Sequence, residues 1–170
     1  MAPHVQRERI ERLLPVHVTI RMAQHVYNLR SRRAFSVVGR AIAKAADRFG
    51  VRIVEFSVQG NHMHLVVEAG AHEALSRAMQ GFSIRVAKGL NAMMNRRGRV
   101  LAERYHAHIL TTPPEARWAV LYVRDNHRRH MNEIGRPVSR EYVDPFASPG
   151  ANVELGEPRT WLLRRAAAPP

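Results

Sequence analysis

The amino-acid sequence predicts an α+β domain of the ferredoxin-like, split βαβ type, in which a four-stranded antiparallel sheet carries two helices on one face. Short segments alternate apolar and polar side chains, which is typical of half-buried strands. Longer segments repeat apolar side chains every three to four residues, which is typical of helices packed on a core. The segments follow one another in the order β-α-β-β-α-β-α, so the last helix is an addition to the ferredoxin-like arrangement.

The first half of the chain predicts a strand, a helix and a hairpin. Residues 16–22 alternate apolar and polar side chains and predict the first strand. Residues 32–49 carry apolar side chains at helical spacing and predict a helix that ends at Gly50. Two β-branched, apolar segments follow with a turn signal between them; the predicted strands are residues 51–58 and 62–68, and the turn is Gln59-Gly60-Asn61.

The second half predicts a helix, a strand, a further helix and a tail. Residues 72–95 have helical spacing, and residues 104–111 alternate and predict the fourth strand. The capping box Thr112-Pro113-Pro114-Glu115 begins a third helix, which ends near residue 131. Periodicity is then lost, so we expect a domain over residues 1–131 and an irregular tail over residues 132–170, docked through Phe146 and Trp161.

Composition excludes several classes of protein. The chain has 170 residues and no cysteine. A disulfide scaffold, a zinc site with cysteine ligands, an iron–sulfur cluster and a thiol nucleophile are therefore excluded. The sequence has no apolar run as long as a membrane span, and its N-terminus lacks the apolar core of a signal peptide. We expect a cytoplasmic protein that does not bind a membrane.

The charge indicates a polyanionic partner. Basic residues number 27 against 14 acidic ones, giving a net charge of +13, and the excess lies in residues 1–140. All the basic residues except Lys44 and Lys88 are arginine, whose planar guanidinium suits phosphate oxygens and nucleobases. The codon bias of a GC-rich genome explains this preference equally well. The distribution of charge still favours a domain that binds nucleic acid.

Two histidines on the third predicted strand form a partial metal site. Residues two apart on a strand point to the same face, so His62, His64 and Val66 lie on the side opposite the apolar residues that alternate with them. Two imidazoles on one face can share a cation, but a catalytic site needs a third ligand. The alternative is a pair of exposed histidines with no ligand.

Tyr122 and Asn126 lie four residues apart on the third predicted helix and share one of its faces with Trp118. Position alone favours reading Tyr122 as a core aromatic residue with its hydroxyl at the edge, and the alternative for Asn126 is a solvated polar residue.

A second pair of histidines competes with the first. His106 and His108 have the same spacing on the fourth predicted strand, and His127 and His130 lie on the next helix. Spacing alone does not choose between the two pairs.

Two motifs resemble those of a known family. Gly60-Asn61-His62-Met63-His64-Leu65-Val66-Val67 resembles the Asn-His-x-His-hydrophobic motif of single-tyrosine HUH transposases, which are insertion-sequence 200-like transposases. Tyr122-Val123-Arg124-Asp125-Asn126 resembles the tyrosine motif of one branch, the REP-associated tyrosine transposases. Residues 16–21 and 98–105 resemble the branch's opening strand and the entry to its last strand. The resemblance covers roughly residues 14–131.

The resemblance implies cleavage and rejoining of single-stranded DNA. Tyr122 would attack the scissile phosphate and form a 5′-phosphotyrosine. His62, His64 and Asn126 would hold Mg²⁺ or Mn²⁺, and imidazole ligands favour Mn²⁺ of the two. The branch usually follows its asparagine with proline, whereas this chain continues with His127-Arg128-Arg129.

The implied partner is a DNA hairpin with a single-stranded flank, bound by a monomer or a homodimer. Arginines near the site are the candidate contacts to this DNA: Arg30, Arg32, Arg33, Arg96, Arg97, Arg99, Arg124, Arg128 and Arg129. For each of them, a solvated basic surface is the alternative.

Two other functions remain open. A domesticated relative would bind DNA or RNA hairpins without chemistry, but such a binder needs neither the histidine pair nor Tyr122. A metal-dependent hydrolase would use His106 and His108, but no acidic ligand is evident near them.

Overall fold

The computed structural model describes residues 9–168, which form an antiparallel sheet in the order β2-β3-β4-β1-β5 with helices on both faces. The predicted fold class is confirmed. The strands are β1 Leu14–Arg21, β2 Asp47–Arg48, β3 Val51–Val58, β4 His62–Ala69 and β5 His106–Ile109. The helices are α1 Arg32–Ala45, α2 His72–Met94, α3 Pro113–Glu133 and α4 Trp161–Ala167. Within residues 9–168, no helix is long and apolar enough to cross a membrane.

The main core lies between the sheet and the helices α1 and α2. Met63, Leu65 and Val67 of β4 point into it, as their alternation with the histidines predicts. Helix α1 begins at Ser31, whose hydroxyl accepts a hydrogen bond from the backbone N–H of Ala34. This layer is the ferredoxin-like part of the molecule.

The first predicted helix was too long at its C-terminal end. It ends at Ala45, and Asp47–Arg48 form the short strand β2, which pairs with Arg52 and Val51. Phe49 and Gly50 make the turn with positive φ values of 55° and 74°, the geometry of a two-residue hairpin. Phe49 matched the helical spacing, but its side chain lies exposed beneath the Arg48 guanidinium.

Helix α3 packs on the opposite face of the sheet through a small second core. Val54 and Val66 on the sheet meet Ala119, Val120 and Val123 on the helix. A β-bulge between Ile53 and Glu55 shifts the register, which leaves Val54 outside the pairing with β4 and buried under the helix. The predicted capping box is present, since Thr112 and Glu115 satisfy each other's backbone N–H groups. The added helix therefore lies on the face that carries His62 and His64.

The tail folds back onto the sheet. Phe146 packs edge-on against Phe35 with ring centroids 4.9 Å apart, as predicted, but Trp161 is 58% exposed and does not dock the tail. Leu163 and Ala166 of α4 fill that role in the second core. The predicted boundary at residue 131 stays a prediction, and the domain limits at residues 1 and 170 lie outside the described residues.

A buried carboxylate holds the start of α4. Glu68 is fully buried and accepts hydrogen bonds from Arg52 at 3.1 Å and from the backbone N–H groups of Arg159 and Thr160 at 2.9 and 2.6 Å. A buried charge is tolerated only when such partners surround it. Glu68 therefore links the central strand to the tail.

Replacing Glu68 should destabilise the protein strongly. In Glu68→Ala, Arg52 and two backbone N–H groups lose their buried acceptor, so we expect the free energy of unfolding to fall by about 3–5 kcal/mol. Urea denaturation followed by circular dichroism measures this change. Glu154→Ala, at an exposed position of the tail, is the control and should change it by less than about 0.5 kcal/mol. Equal stability of the two variants would show that Glu68 does not anchor the tail.

Two glycines of α2 should respond to alanine in opposite directions. A Cβ at Gly89 would lie 2.5 Å from Cγ1 of Val37 on α1, whereas nothing lies within 4 Å of a Cβ at Gly81. Gly89→Ala should destabilise by about 1–3 kcal/mol because the helices must separate. Gly81→Ala should stabilise by up to about 1 kcal/mol through helix propensity. The same sign for both variants in thermal unfolding would contradict this packing.

Candidate functional site

Helix α3 places Tyr122 directly over the histidine pair. The Tyr122 ring lies 5.2 Å from the His64 ring, centroid to centroid, and nearly perpendicular to it at 87°. The His62 and His64 rings are 5.0 Å apart. A cavity of about 820 Å³ opens beside them and is lined by His62, Tyr122 and Asn126. The structure thus brings the predicted nucleophile and predicted ligands to one place, while their roles stay predictions.

His64 is a buried imidazole with one nitrogen unsatisfied. Its Nδ1 lies 3.1 Å from Nε2 of His17 and 3.2 Å from the Thr19 hydroxyl. Its Nε2 is buried and has no hydrogen-bond partner among the described residues. Burial, together with the neighbouring His17, lowers the pKa of His64 to about 3, so the ring is neutral at pH 7. A neutral imidazole with a free nitrogen is the form that binds a metal.

His62 is held in a matching orientation. Its Nδ1 lies 2.8 Å from the side-chain oxygen of Asn61, which can only accept, so His62 donates from Nδ1 and keeps a lone pair on Nε2. Burial lowers the pKa of His62, and the nearby Arg21 and His130 lower it further. Asn61 therefore orients this ring as an outer partner orients a metal ligand.

The donor set fits the implied cation. Asn126 is 8% exposed and lines the same cavity as His62. Two imidazole nitrogens and one amide oxygen suit Mn²⁺ and, less well, Mg²⁺. The unsatisfied Nε2 of His64 supports this fit independently of the motif, because buried polar atoms rarely lack a partner.

The competing histidine pair does not form a site. His106 and His108 lie on the same face of the sheet, on the edge strand β5, but their side chains are 65% and 64% exposed. Each lies near a different carboxylate, Glu103 for His106 and Glu115 for His108. Among residues 9–168, no three His, Asp or Glu side chains converge as a metal site. Residues 9–168 therefore supply no third ligand of these types for the hydrolase alternative.

Three of the arginines that were predicted to contact DNA instead pair with groups of the protein itself. Arg30 forms a two-pronged ion pair with Asp144 of the tail, at 2.9 Å for both contacts. Arg124 pairs with the buried Glu55. Arg128 pairs with Asp125 at 2.9 Å and donates to backbone carbonyls at residues 139, 140 and 142. These guanidinium groups hold the tail and α3 in place.

The other predicted arginines are more open to a ligand. Arg129 lies 5.8 Å from the centre of the Tyr122 ring and lines the 820 Å³ cavity. Exposed arginines lie at the start of α1 and in the loop after α2: Arg32, Arg33, Arg96, Arg97 and Arg99. Arg33 and Arg99 each donate to a nearby backbone carbonyl, of Met93 and Leu101 respectively.

The segment after Asn126, where this chain departs from the branch's proline, is helical. With no proline after Asn126, the helix continues to Glu133. His127 tilts against Tyr142 of the tail, and burial lowers its pKa. His130 lines the cavity. The substituted segment therefore both docks the tail and extends one wall of the site.

Sequence reasoning missed His17. This residue lies at the centre of the site, 5.2 Å from the His64 ring and 5.9 Å from the Tyr122 ring. Burial, together with His108, lowers the pKa of His17 to about 4. The alternation along the first strand does place His17 among its polar residues. Its contact with His64, however, depends on how β1 and β4 align, which the sequence pattern does not show.

A split βαβ sheet with a tyrosine-bearing helix packed near a pair of strand histidines is the arrangement that the two motifs predict. Residues 13–126 match the sequence model of the family described as "Transposase IS200 like", and the chain belongs to this family. It is therefore a transposase, an enzyme of DNA transposition.

Two solved structures are similar to the chain. One is a REP-associated tyrosine transposase bound to a REP hairpin, with a TM-score of 0.61, 14% identity, and coverage of 93% of this chain and 99% of that one. The other is a candidate transposase from Deinococcus radiodurans, with a TM-score of 0.49, 10% identity, and coverage of 82% and 100%. The predicted resemblance to REP-associated tyrosine transposases is confirmed. No curated protein matches the chain.

The buried histidines should make the metal-free protein sensitive to acid. An unfolded histidine takes up a proton near pH 6.5, whereas His17 and His64 resist protonation in the fold down to about pH 4 and 3. Stability should therefore be constant above about pH 6.5 and fall below it, by up to about 1.4 kcal/mol per pH unit for each group.

Urea denaturation in EDTA between pH 4 and 8 measures this slope. His17→Gln should flatten it, and His106→Gln, at an exposed position of β5, should leave it close to that of the wild type. An unchanged slope in His17→Gln would contradict the burial of a neutral imidazole at this position.

Proposed function

We propose that this transposase cleaves and rejoins single-stranded DNA through a covalent bond between Tyr122 and a 5′-phosphate. The position of Tyr122 carries this proposal: its ring lies over His64, whose buried Nε2 has no partner in the described part of the chain. A structural tyrosine would not require two oriented, neutral imidazoles beneath it. A nucleophile that attacks a phosphate requires such groups to hold an electrophilic centre.

The cleavage step exchanges one phosphodiester for another. The Tyr122 oxygen attacks phosphorus in line, a bond forms between them, and the bond from phosphorus to the 3′ oxygen breaks. The phenolic proton leaves the site and the departing oxygen gains one, so the products are a 5′-phosphotyrosine and a free 3′-OH. Arg129, 5.8 Å from the Tyr122 ring, favours the negative charge that develops on the phenolic oxygen.

His62, His64 and Asn126 would hold the divalent cation, Mn²⁺ or Mg²⁺. When bound, this cation offsets the negative charge of the phosphate oxygens. The protein's part is orientation: Asn61 holds the His62 ring, and His17 with Thr19 holds the His64 ring. These partners fix the orientation of both rings in the absence of the cation.

Rejoining reverses the same step. A 3′-OH attacks the phosphotyrosine, and Tyr122 leaves as a phenol. Because the phosphodiester energy is kept in the covalent bond, the reaction needs no nucleotide cofactor. This agrees with the lack of a phosphate-binding glycine loop in the sequence.

The proposed substrate is a DNA hairpin with a single-stranded flank. A REP-associated tyrosine transposase of similar fold binds a REP hairpin. The present chain carries a net charge of +13, and exposed arginines occupy the start of α1 and the loop after α2. A duplex stem held by these arginines would leave its single strand to enter the cavity beside Tyr122.

We further propose that the tyrosine acts in cis. Helix α3 covers the histidines of its own chain, so the nucleophile and its predicted ligands already meet within one subunit. A homodimer is therefore not required to complete the site.

A covalent-adduct assay tests the reaction. The protein is mixed with labelled single-stranded oligonucleotides that carry the palindromes flanking its gene, with Mn²⁺, Mg²⁺ or EDTA, and separated on a denaturing gel. The wild type should give a shifted band with Mn²⁺, a weaker one with Mg²⁺ and none with EDTA.

Matched variants identify the nucleophile. Tyr122→Phe should abolish the adduct, and His64→Ala should reduce it by at least about 100-fold. Tyr27→Phe removes the hydroxyl of an exposed tyrosine and should leave the adduct unchanged. Retention of the adduct in Tyr122→Phe would make the proposed nucleophile wrong. Hairpin binding with no adduct under any condition would indicate a binding protein instead of a nuclease.

A further inference from the structure

The indole of Trp118 lies exposed beside the proposed nucleophile. Its ring stacks on the Tyr122 ring with centroids 4.8 Å apart and planes inclined by 19°. The residue is nevertheless 52% exposed. Because Tyr122 covers one face of the indole, this exposure belongs mainly to the other face and the outer edge.

Two aromatic rings neighbour Trp118 among the described residues, those of Tyr122 and His17. Trp118 lies one helical turn before Tyr122 on α3, on the same side of the helix. His17 approaches the indole edge-on at 6.3 Å, inclined by 68°. The helix docks through other residues, Ala119, Val120 and Val123, so Trp118 is not needed to hold α3 on the sheet.

The surroundings suit a nucleic-acid base. Arg129 also lies over the Tyr122 ring, at 5.8 Å, so an indole, a phenol and a guanidinium lie along one side of α3. The chain as a whole is strongly basic. A flat aromatic surface next to cationic groups is what single-stranded nucleic acids use, because bases stack while phosphates pair with the cations.

We propose that Trp118 is a base-stacking subsite, in which the open face of its indole takes a nucleobase of the single strand next to the phosphate that Tyr122 attacks. This inference rests on the proposed function and adds to it a specific contact. The inner face of the indole holds the Tyr122 ring, so one side chain orients both the nucleophile and the strand. Stacking of this kind tolerates any base, so it positions the DNA and does not read its sequence.

A protein partner is less well suited to this position. Leu121 on the neighbouring turn is also exposed, so a second copy of the chain could cover the same part of α3. Both copies carry the same net positive charge, and the repulsion between them opposes association. A single strand of DNA brings the opposite charge.

Tryptophan fluorescence tests the proposal directly. The chain has two tryptophans, so Trp161→Phe leaves Trp118 as the single reporter. Tyr122→Phe is added to keep the oligonucleotide intact, and a hairpin with a single-stranded flank is titrated in. We expect saturable quenching of Trp118 fluorescence. The reverse reporter, Trp118→Phe with Trp161 kept, should show no quenching, since Trp161 lies on α4 under Arg165.

An abasic scan locates the stacked base. We expect one oligonucleotide of the series, which lacks a base at a single flank position, to cause no quenching. It should also bind about 5- to 100-fold more weakly, the range typical of one stacked base. Trp118→Ala should weaken binding of the intact flank by the same factor, and the two changes together should cause no further loss. Trp118→Phe should retain most of the wild-type affinity, because phenylalanine keeps an aromatic face. Trp118→Leu should retain little of it, because leucine is apolar but has no ring on which a base can stack. Trp161→Ala, at a similarly exposed tryptophan, should bind within about twofold of the wild type.

Three outcomes would overturn the subsite. They are equal binding by Trp118→Ala, additive losses at every abasic position, or concentration-dependent dimerisation that Trp118→Ala abolishes. The adduct assay separates this failure from failure of the proposed reaction. If Trp118→Ala binds the flank normally and also forms the adduct normally, the proposed nucleophile stands and the proposed subsite is wrong. Quenching with no adduct in the wild type would keep the subsite and remove the chemistry.

Discussion

A strip of apolar side chains on an otherwise polar sheet face determines where the site forms. Val54 and Val66 are buried on the same face as the histidine pair, and the alanine and valine residues of α3 pack on them. This packing fixes both the position and the rotation of the helix. Because Tyr122 lies one turn from these contacts, its place over His64 follows from apolar packing and not from any bond that the two residues make with each other.

The rest of that face is polar, and each buried polar group on it takes its partner from elsewhere in the chain. Glu55 forms an ion pair with Arg124 of α3 and accepts a hydrogen bond from Ser148. Glu68 accepts hydrogen bonds from Arg52 and from the backbone just before α4. His64 takes His17 and Thr19 on one side and leaves its other nitrogen free. A buried polar atom without a partner is costly, and the described residues contain four: Nε2 of His64, Oε1 of Gln59, Oδ1 of Asn91 and Nδ1 of His127. The His64 nitrogen is the one that lies beside both His62 and Tyr122, so the ligand is assigned to it.

Local patterns in the sequence predicted much of this arrangement. The alternation along β4 placed the histidines opposite the core, the helical spacing of residues 122 and 126 placed them on one face, and the capping box marked the start of α3. What failed depended on contacts between distant residues. The turn at Phe49 and Gly50 was hidden by apolar spacing that matched a helix. The role of His17 depended on a strand register, because it contacts a residue 47 positions away. The partners of Arg30 and Arg128 lie in the tail, where no periodic pattern exists to place them.

The hydrogen bonds that the tail donates to the sheet also set an order for folding during synthesis. Ser148, the hydroxyl partner of Glu55, follows it by 93 positions, and the backbone groups that bind Glu68 follow it by 91 and 92. On the ribosome, the sheet strands are therefore made long before the groups that satisfy their inward carboxylates. Until those residues emerge, Glu55 lacks the Ser148 hydroxyl and Glu68 lacks two of its backbone donors, although α3 can already pack on the valines of this face. The layer that carries the histidines is therefore completed only when the tail has been made, late in the synthesis of the chain.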